Sequence, residues 1–380
     1  MEKKKKSWFY PSICVTHECN LSCGYCYQKH DTSAKMTIET ASVVIDWIFD
    51  NMPNDTNTVE IGFIGGEPLL EFDLLKEIVG YTRSKKREKD YYFFASTNGT
   101  LLSAEMKKWF TIHKDSFVLG LSLDGARETH NYNRCNSFDT IDIDFFRINW
   151  PNQGVKMTLT EYSLPRLAEN IKFLHSKGIK NIGGVNLAEG DFDWSNDNYI
   201  KVLVQQLNEL VEFYVDNDTL ELNQMFKRKL HSCETKEKIR RKWCGVGIGC
   251  PFFDVDGKMY PCALLTPMTF SADDLSEIVK TDFTDHENFI DDYCFDNCYI
   301  YPICPHCASA NYWVNKTFKE RDKRRCRIQK LISLFVADLQ AKRIMKNPKI
   351  YDDEVLYHTI EAIKRIRALY LSEFKEYLNF

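Results

Sequence analysis

The cysteines of this chain are concentrated in two short stretches, and this distribution limits the folds that the chain can adopt. Of 14 cysteines, four lie within residues 14–26 and eight within residues 244–326, which leaves Cys135 and Cys233 outside. A disulfide-stapled protein would spread its cysteines more evenly, whereas clustered cysteines in a cytoplasmic protein are typical of metal or redox sites. We expect a cytoplasmic location, because no secretory signal and no stretch of ~20 apolar residues is present.

Three cysteines near the N-terminus, Cys19, Cys23 and Cys26, have the spacing C-x3-C-x2-C. Thiolates at this spacing can ligate three irons of a [4Fe–4S] cluster and leave the fourth iron without a protein ligand. An open iron can bind and reduce a small molecule, so the spacing indicates catalysis rather than electron storage. The alternative is a zinc site completed by His17 or His30.

The first half of the chain alternates strand-like and helix-like segments, which predicts parallel β/α units. We expect strands at 8–16, 59–64, 91–96, 117–123, 155–159 and 179–187, and helices at 37–51, 69–84, 104–113, 164–177 and 197–217. About six units fit, so the predicted fold is α/β, a partial (β/α)6 barrel of the TIM type. A cysteine-rich, loop-rich iron–sulfur domain and C-terminal helices follow. The expected domains are residues 1–225, 226–330 and 331–380.

Small polar motifs follow three successive predicted strands. They are GGEP at 65–68, STNG at 96–99 and SLDG at 122–125. The two glycines of GGEP let another group approach the backbone closely, and Glu67 offers an acceptor to an ammonium group. Three polar strand ends in sequence order predict one polar ligand across the barrel mouth.

Together, the three-cysteine loop and these strand-end motifs resemble the radical S-adenosylmethionine (SAM) enzymes over residues 8–225. The resemblance implies that Cys19, Cys23 and Cys26 hold a catalytic [4Fe–4S] cluster that cleaves SAM to a 5′-deoxyadenosyl radical, which abstracts hydrogen. It also implies the SAM-binding residues: Gly65, Gly66 and Glu67 for the methionyl amine, Tyr25 near the adenine, and Asn98, Ser122 and Arg134 for the ribose or the carboxylate.

The eight downstream cysteines are the right number for two fully ligated four-iron clusters, with two zinc sites as the alternative. Their segment resembles the SPASM domain of peptide-modifying radical SAM enzymes. The resemblance implies two auxiliary clusters, one on Cys244, Cys250, Cys262 and Cys307 and a farther one on Cys294, Cys298, Cys304 and Cys326. Three [4Fe–4S] clusters and SAM are therefore the expected cofactors.

The function that this resemblance implies is maturation of a ribosomally made precursor peptide, by a thioether or C–C crosslink or another modification. One alternative is an anaerobic sulfatase-maturing enzyme, which converts Cys or Ser to formylglycine. Ala263 weakens it, because those enzymes typically carry an Asp base after the cysteine that is Cys262 here, although a base at Glu189, Asp191 or Asp193 would restore it. A second alternative is a non-catalytic iron–sulfur electron-transfer protein.

The expected partners are a precursor peptide and an external electron donor such as flavodoxin or ferredoxin. Only 18 residues precede Cys19, so we expect no fused leader-binding module and a leader read by a separate protein, by the barrel itself, or not at all. The basic run at 319–330 indicates either a solvated helix face or a docking surface for an acidic leader peptide.

The net charge of -4 gives no basis for binding nucleic acid or a membrane surface.

Overall fold

The computed structural model describes residues 7–30, 32–190, 192–235 and 238–378. The strands are β1 (Ser7–Phe9), β2 (Ser12–Thr16), β3 (Thr56–Gly65), β4 (Asp90–Thr97), β5 (Phe117–Leu121), β6 (Val155–Leu159), β7 (Ile182–Leu187), β8 (Phe252–Phe253) and β9 (Met259–Tyr260). The helices are α1 (Ile38–Asn51), α2 (Phe72–Ser84), α3 (Ala104–His113), α4 (Arg127–Asn133), α5 (Ile143–Asn149), α6 (Leu167–Ser176), α7 (Asp197–Asp216), α8 (Ala272–Ile278), α9 (Asp292–Asn297), α10 (Ala308–Asn315), α11 (Cys326–Lys346) and α12 (Asp353–Tyr370).

A parallel sheet with strand order β5-β4-β3-β2-β8-β9 forms the centre of the α/β fold. Strand β1 pairs with β3, and only the β8–β9 pair is antiparallel among the strands described in this sheet. Strands β6 and β7 form a separate two-stranded sheet. The alternation of strands and helices confirms the predicted α/β class and its parallel core.

Aromatic side chains on neighbouring strands hold the middle of the sheet in register. Phe63 of β3, Phe93 of β4 and Phe117 of β5 stack with ring centroids 5.7–5.9 Å apart, and all three are buried. Stacked aromatic pairs add to the stability gained by burying their area. Because the strands are parallel, this packing aligns their carboxyl ends, where the predicted polar motifs lie.

Side-chain caps mark the first turns of two helices. Thr37 caps α1 by accepting a hydrogen bond from the Thr40 N–H at 3.2 Å, and Ser103 caps α3 by accepting one from the Met106 N–H at 3.2 Å. These caps satisfy backbone donors that have no partner inside the helix. The bounds of α3 and β6 are the predicted ones, whereas the predicted strand at 8–16 is wrong as a single element, because Tyr10 and Pro11 separate β1 from β2.

The chain divides into two compact units that alternate along the sequence. The first unit comprises residues 1–123, 130–155 and 244–285, and the second comprises residues 124–129, 156–243 and 286–380. In the second unit, α11 packs against both α7 and α12. The domain boundaries expected from the sequence stay a prediction. Among the described residues, no helix is both long enough and apolar enough to span a bilayer.

Candidate active site

The three-cysteine loop follows β2 and is anchored to neighbouring backbone. The Gly24 N–H donates to the Asn133 carbonyl at 3.2 Å, and the Cys26 N–H donates to the Cys23 carbonyl at 3.0 Å. Cys19 and Cys23 are half-buried and Cys26 is exposed. Burial, with smaller contributions from Glu67 and the Cys26 thiol, raises the pKa of Cys19. The loop thus presents its cysteines at an accessible but partly desolvated surface, which fits ligands of a catalytic cluster.

The two glycines of the GGEP motif allow the end of β3 to touch the backbone that enters the cysteine loop. A Cβ at Gly65 would lie 2.2 Å from the Thr16 carbonyl oxygen, and a Cβ at Gly66 would lie 2.2 Å from the Glu18 carbonyl oxygen. The Gly66 N–H donates to the Thr16 carbonyl at 3.0 Å. Glycine is therefore required here for backbone packing, independently of any ligand.

Glu67 is fully buried and joins the GGEP and STNG motifs. Its carboxylate accepts hydrogen bonds from the Thr97 hydroxyl at 2.7 Å, the Asn98 N–H at 2.7 Å and the Leu69 N–H at 3.1 Å. Burial raises the pKa of Glu67 to about 7, and these donors oppose the shift. Since a carboxylate offers about four acceptor positions, the three bonds leave little capacity for a further donor.

Asn98 and Ser122 lie at the ends of the two following strands and differ in their partners. The Asn98 side-chain amide donates to Asn20 Oδ1 at 2.9 Å, and its oxygen accepts from the Thr100 hydroxyl at 2.7 Å. Asn98 therefore fixes the cysteine loop through Asn20. The Ser122 hydroxyl has no hydrogen-bond partner within the described part of the chain, although its backbone N–H donates to the Thr97 carbonyl at 2.9 Å.

Arg134 places a buried cation beside the cysteine loop. Its guanidinium lies 5.3 Å from the centroid of the Tyr25 ring, and the side chain lies within electrostatic reach of Cys19 and Glu67. The two residues that follow, Cys135 and Asn136, adopt left-handed backbone conformations with φ of 55° and 57°. Because such conformations are costly for residues other than glycine, the turn after α4 is strained in a way that is typical of functional sites.

Two histidines near the loop, which the sequence offered as zinc ligands in the alternative interpretation, belong to one hydrogen-bond network. His17 bonds through Nε2 to Asp254 Oδ1 at 2.6 Å and through Nδ1 to the Thr32 hydroxyl at 2.8 Å. His30 lies 3.4 Å from Cys26 Sγ through Nε2 and bonds the His17 carbonyl at 2.9 Å through Nδ1. Asp254 thus reaches Cys26 through two histidines, a network that the sequence did not reveal because Asp254 lies 237 residues from His17.

In the second unit, four predicted cluster cysteines come together. Burial, with smaller contributions from the nearby Cys304, Cys294 and Cys298 thiols, raises the pKa of Cys326 to about 11. The Cys298 N–H donates to the Cys294 carbonyl at 3.0 Å, and Cys326 is the first residue of α11. Four mutually close thiols, one at a helix N-terminus that favours a thiolate, fit the donor set of a four-cysteine cluster.

The other four downstream cysteines divide between the units. Cys244, Cys250 and Cys262 belong to the first unit, where Cys250 directly precedes Pro251 and strand β8. Cys307 belongs to the second unit and forms the N-terminal boundary of α10. Their assignment to one auxiliary cluster remains a prediction.

Most cations of the basic run at 319–330 form ion pairs within the chain, and Lys319 and Lys323 are also exposed to solvent. Lys319, Lys323, Arg324, Arg325, Arg327 and Lys330 pair with Asp292, Asp291, Asp322, Glu189, Asp197 and Glu373, respectively. The remaining cation, Arg321, is buried against the ring of Tyr301. Since six of the seven cations pair with carboxylates and the seventh is buried, the run offers little net charge to an acidic peptide.

The candidate bases after β7 are engaged in other contacts. Glu189 pairs with Arg325 at 2.7 Å, and hydrogen bonds from Ser195 hold the pKa of Asp193 below its usual value. Asp191 lies outside the described residues. Ala263 packs against the apolar cluster of Cys14, Phe252, Tyr260 and Met268, so its surroundings are nonpolar as well.

The sequence matches a described family and several known proteins. Residues 13–188 match the radical SAM superfamily model. A cysteine-type anaerobic sulfatase-maturating enzyme of Clostridium perfringens is 26% identical over 268 residues, which cover 64% of this chain and 71% of that enzyme. An uncharacterized protein of Methanocaldococcus jannaschii is 31% identical over 173 residues, which cover 44% of this chain and 59% of that protein's length.

Solved structures share the fold over most of the chain. The structure of native anSMEcpe with bound AdoMet superposes with a TM-score of 0.69 at 18% identity, covering 89% of this chain and 100% of that chain. Streptococcus suis SuiB bound to precursor peptide SuiA superposes with a TM-score of 0.57 at 17% identity, covering 84% of this chain and 76% of that chain. Residues 13–188 of the chain thus carry a radical SAM domain.

Proposed function

We propose that the protein is a radical SAM peptide maturase that abstracts hydrogen from a residue of a ribosomally made precursor peptide. The observation that carries this proposal is the accessible three-cysteine loop, fixed by the GGEP and STNG motifs and flanked by the buried cation Arg134. A likeness in fold to SuiB, a structure bound to a precursor peptide, supports a peptide as the substrate.

The residues in and around the loop would have different roles in holding the cluster and SAM. Cys19, Cys23 and Cys26 would hold a [4Fe–4S] cluster, which when bound supplies the electron that cleaves SAM. The backbone of Gly65 and Gly66 and the face of Tyr25 would contact the methionyl amine and the adenine. Ser122 and Arg134 would donate hydrogen bonds to the hydroxyl and carboxylate oxygens of SAM, for which an arginine guanidinium is well suited. Glu67 and Asn98 would act mainly by holding the surrounding backbone.

The downstream cysteines would hold two auxiliary clusters within a SPASM-like segment at 226–330, between a barrel domain at 1–225 and helices at 331–380. Electrons would come from a reductant such as flavodoxin or ferredoxin. Iron–sulfur clusters of this type support a reducing, cytoplasmic location.

Anaerobic reconstitution followed by an assay of SAM cleavage tests the proposal. We expect about 12 irons per chain for three four-iron clusters, and loss of 5′-deoxyadenosine formation when Cys19, Cys23 and Cys26 are all replaced by Ala. The Cys14→Ala variant is a matched control, because Cys14 is buried beside the same loop and is not an expected ligand. SAM cleavage that survives the triple substitution would reject the mechanism.

A sulfatase-maturing activity is the second candidate, favoured by the identity to the Clostridium perfringens enzyme. The alanine at position 263 and the paired state of Glu189 argue against it, because neither supplies a free proton acceptor. Incubation with a sulfatase-derived peptide containing the target Cys or Ser distinguishes the two functions. Formylglycine detected by mass spectrometry would establish the second candidate in place of the first.

A further inference from the structure

Two arginines in the second unit are buried without a carboxylate partner among the described residues. Arg228 is 9% exposed and Arg321 is 5% exposed. The Arg228 guanidinium donates only to neutral acceptors: the Met225 carbonyl, the Gln329 carbonyl and side-chain oxygen, and the Ser333 hydroxyl. A buried charge that lacks an opposite charge is destabilising by several kcal/mol, so two such cations require an anion nearby.

Both arginines lie next to the pocket of Cys294, Cys298, Cys304 and Cys326. The partners of Arg228, Gln329 and Ser333, lie on the first turns of α11, which begins at Cys326. The Arg321 guanidinium lies 4.3 Å from the centroid of the Tyr301 ring, and Tyr301 bonds the backbone of both Cys298 and Cys304. The thiol of Cys304 lies within electrostatic reach of both arginines.

A third cation contacts a sulfur of this pocket directly. Lys323 Nζ lies 3.2 Å from Cys294 Sγ and 2.8 Å from Asp291 Oδ2. Asp291 is itself fixed, since it accepts from the Cys294 N–H at 3.0 Å and from the Arg321 N–H at 3.1 Å. A neutral buried thiol gains little from an ammonium group, whereas a metal-bound thiolate gains a charge-assisted hydrogen bond.

We propose that Arg228, Arg321 and Lys323 form a cationic collar that raises the reduction potential of the cluster held by Cys294, Cys298, Cys304 and Cys326. A cluster held by four thiolates is anionic and gains one more negative charge on accepting an electron. Positive charges and hydrogen bonds to sulfur therefore stabilise its reduced state. The collar residues are positioning residues that do not touch substrate, and this inference rests on the proposed auxiliary clusters.

The collar predicts that this cluster is the stronger electron acceptor of the two auxiliary clusters. Near Cys244 in the sequence, the described residues include one buried cation, Lys242, which lies over the ring of Phe289, against two buried arginines beside the other pocket. An acceptor in the second unit would suit oxidation of a substrate radical by one electron, with a proton leaving the peptide.

Redox titration monitored by electron paramagnetic resonance tests the collar in the full-length, anaerobically reconstituted protein. The background carries Cys19→Ala, Cys23→Ala and Cys26→Ala, so that only the auxiliary clusters contribute signals. The signal lost in an added Cys326→Ala variant identifies the cluster in question. Lys323→Gln, Arg321→Gln and Arg228→Gln are then compared with Lys319→Gln, which removes a similarly exposed lysine that pairs with Asp292 instead of sulfur.

We expect each collar substitution to weaken the electron affinity of that cluster about tenfold or more. This corresponds to a reduction potential lower by about 59 mV for a one-electron couple. We expect no such change for Lys319→Gln. Lys323→Gln gives a result even if the arginine variants fold poorly, because the Lys323 side chain is 56% exposed.

The possible outcomes separate the collar from the proposed function. Full iron content with an unchanged potential in Lys323→Gln and in the arginine variants that fold would overturn the collar and leave the auxiliary clusters in place. A background protein that binds zinc in place of iron at the Cys326-dependent site would overturn the auxiliary clusters and the collar together. A shift confined to the collar variants supports both.

Discussion

At the scale of single residues, the strand-end motifs hold the cysteine loop in position, in addition to any contact that they make with a ligand. Gly66 touches the backbone of Glu18, and Asn98 bonds Asn20 inside the loop. Glu67 connects two motifs through three hydrogen bonds and is fully buried. A change in any of these residues therefore alters the position of the thiols, so its effect on SAM cleavage cannot be attributed to SAM contact alone.

The glycines provide a test of this view. Gly66→Ala should lower the free energy of unfolding by about 1–3 kcal/mol, because its Cβ would overlap the Glu18 carbonyl and force the loop to shift. Gly80→Ala is the matched control, since no atom lies within 4 Å of its added Cβ and the residue is inside α2. That control should stabilise the protein by about 0.5–1 kcal/mol. Chemical denaturation under anaerobic conditions measures both values, and equal effects would contradict the packing role.

At the scale of elements, the short hairpin of β8 and β9 connects the cysteine-rich region to the cysteine loop. Strand β8 pairs with β2 through Ser12 and Ile13, and the left-handed Gly257 closes the turn to β9. This pairing brings Asp254 to His17, directly before the loop. Two strands of two residues each thus determine where a distant carboxylate meets the active site.

Asp254→Asn should weaken iron retention at the three-cysteine loop, although Asp254 is not an expected ligand. The substitution removes the charge that holds His17, at a cost of about 1–3 kcal/mol for a buried charged hydrogen bond. The rate of iron release to a chelator measures the effect, in a background with Cys326→Ala and Cys244→Ala to remove the auxiliary signals. Asp256→Asn, on the exposed turn of the same hairpin, is the control and should release iron at the parent rate. Identical rates for both variants would show that the pair does not support the loop.

The ion pairs of Asp46, where α1 meets the end of α2, lead to a prediction about how stability depends on pH. Asp46 pairs with Lys85 at 2.6 Å and Arg87 at 2.9 Å and accepts from the Tyr81 hydroxyl, and these groups hold its pKa below the ordinary 3.8. Because the pKa is lower in the folded state, the stabilisation is present above about pH 4 and is lost as the pH falls below it.

Asp46→Asn should therefore lower the free energy of unfolding by about 1 kcal/mol at pH 7, a value reduced by the 35% exposure of the side chain. The difference from the parent should disappear as the pH falls below 4. The control Asp144→Asn, whose carboxylate is 71% exposed beside Arg147, should change stability by less than about 0.5 kcal/mol. Urea titrations across this pH range supply the comparison, and a difference independent of pH would count against the ion pairs.

At the scale of the whole molecule, local sequence patterns were enough to predict several elements, whereas pairing between distant segments was not predicted. The alternation of strand-like and helix-like segments was sufficient for α3 and β6, and the cysteine spacing predicts the metal-binding segments. Strand β8 was missed because two residues, Phe252 and Phe253, carry no periodicity. The partners of Glu67 were also beyond sequence reasoning, since which donors surround a buried carboxylate depends on packing between distant segments.

The interleaved units lead to a prediction about truncation. A fragment of residues 1–225 lacks β8 and therefore leaves the edge of β2 unpaired, and unpaired edges promote association. We expect this fragment to be aggregated on size-exclusion chromatography, whereas a fragment of residues 1–330, which keeps β8 and β9, should give less aggregate. A monomeric, cooperatively unfolding 1–225 fragment would instead support the first predicted domain as an independent unit.

The contact between His17 and Asp254 also has a consequence during protein synthesis. The two residues are 237 positions apart. At about 5–20 residues per second, a ribosome needs roughly 12–47 s to make the intervening chain. For that time the nascent chain carries the cysteine loop without the carboxylate that orients it, so its thiols are open to oxidation or to a wrong metal. If the loop holds iron as proposed, a loop supported by Asp254 would be available to that iron only late in synthesis.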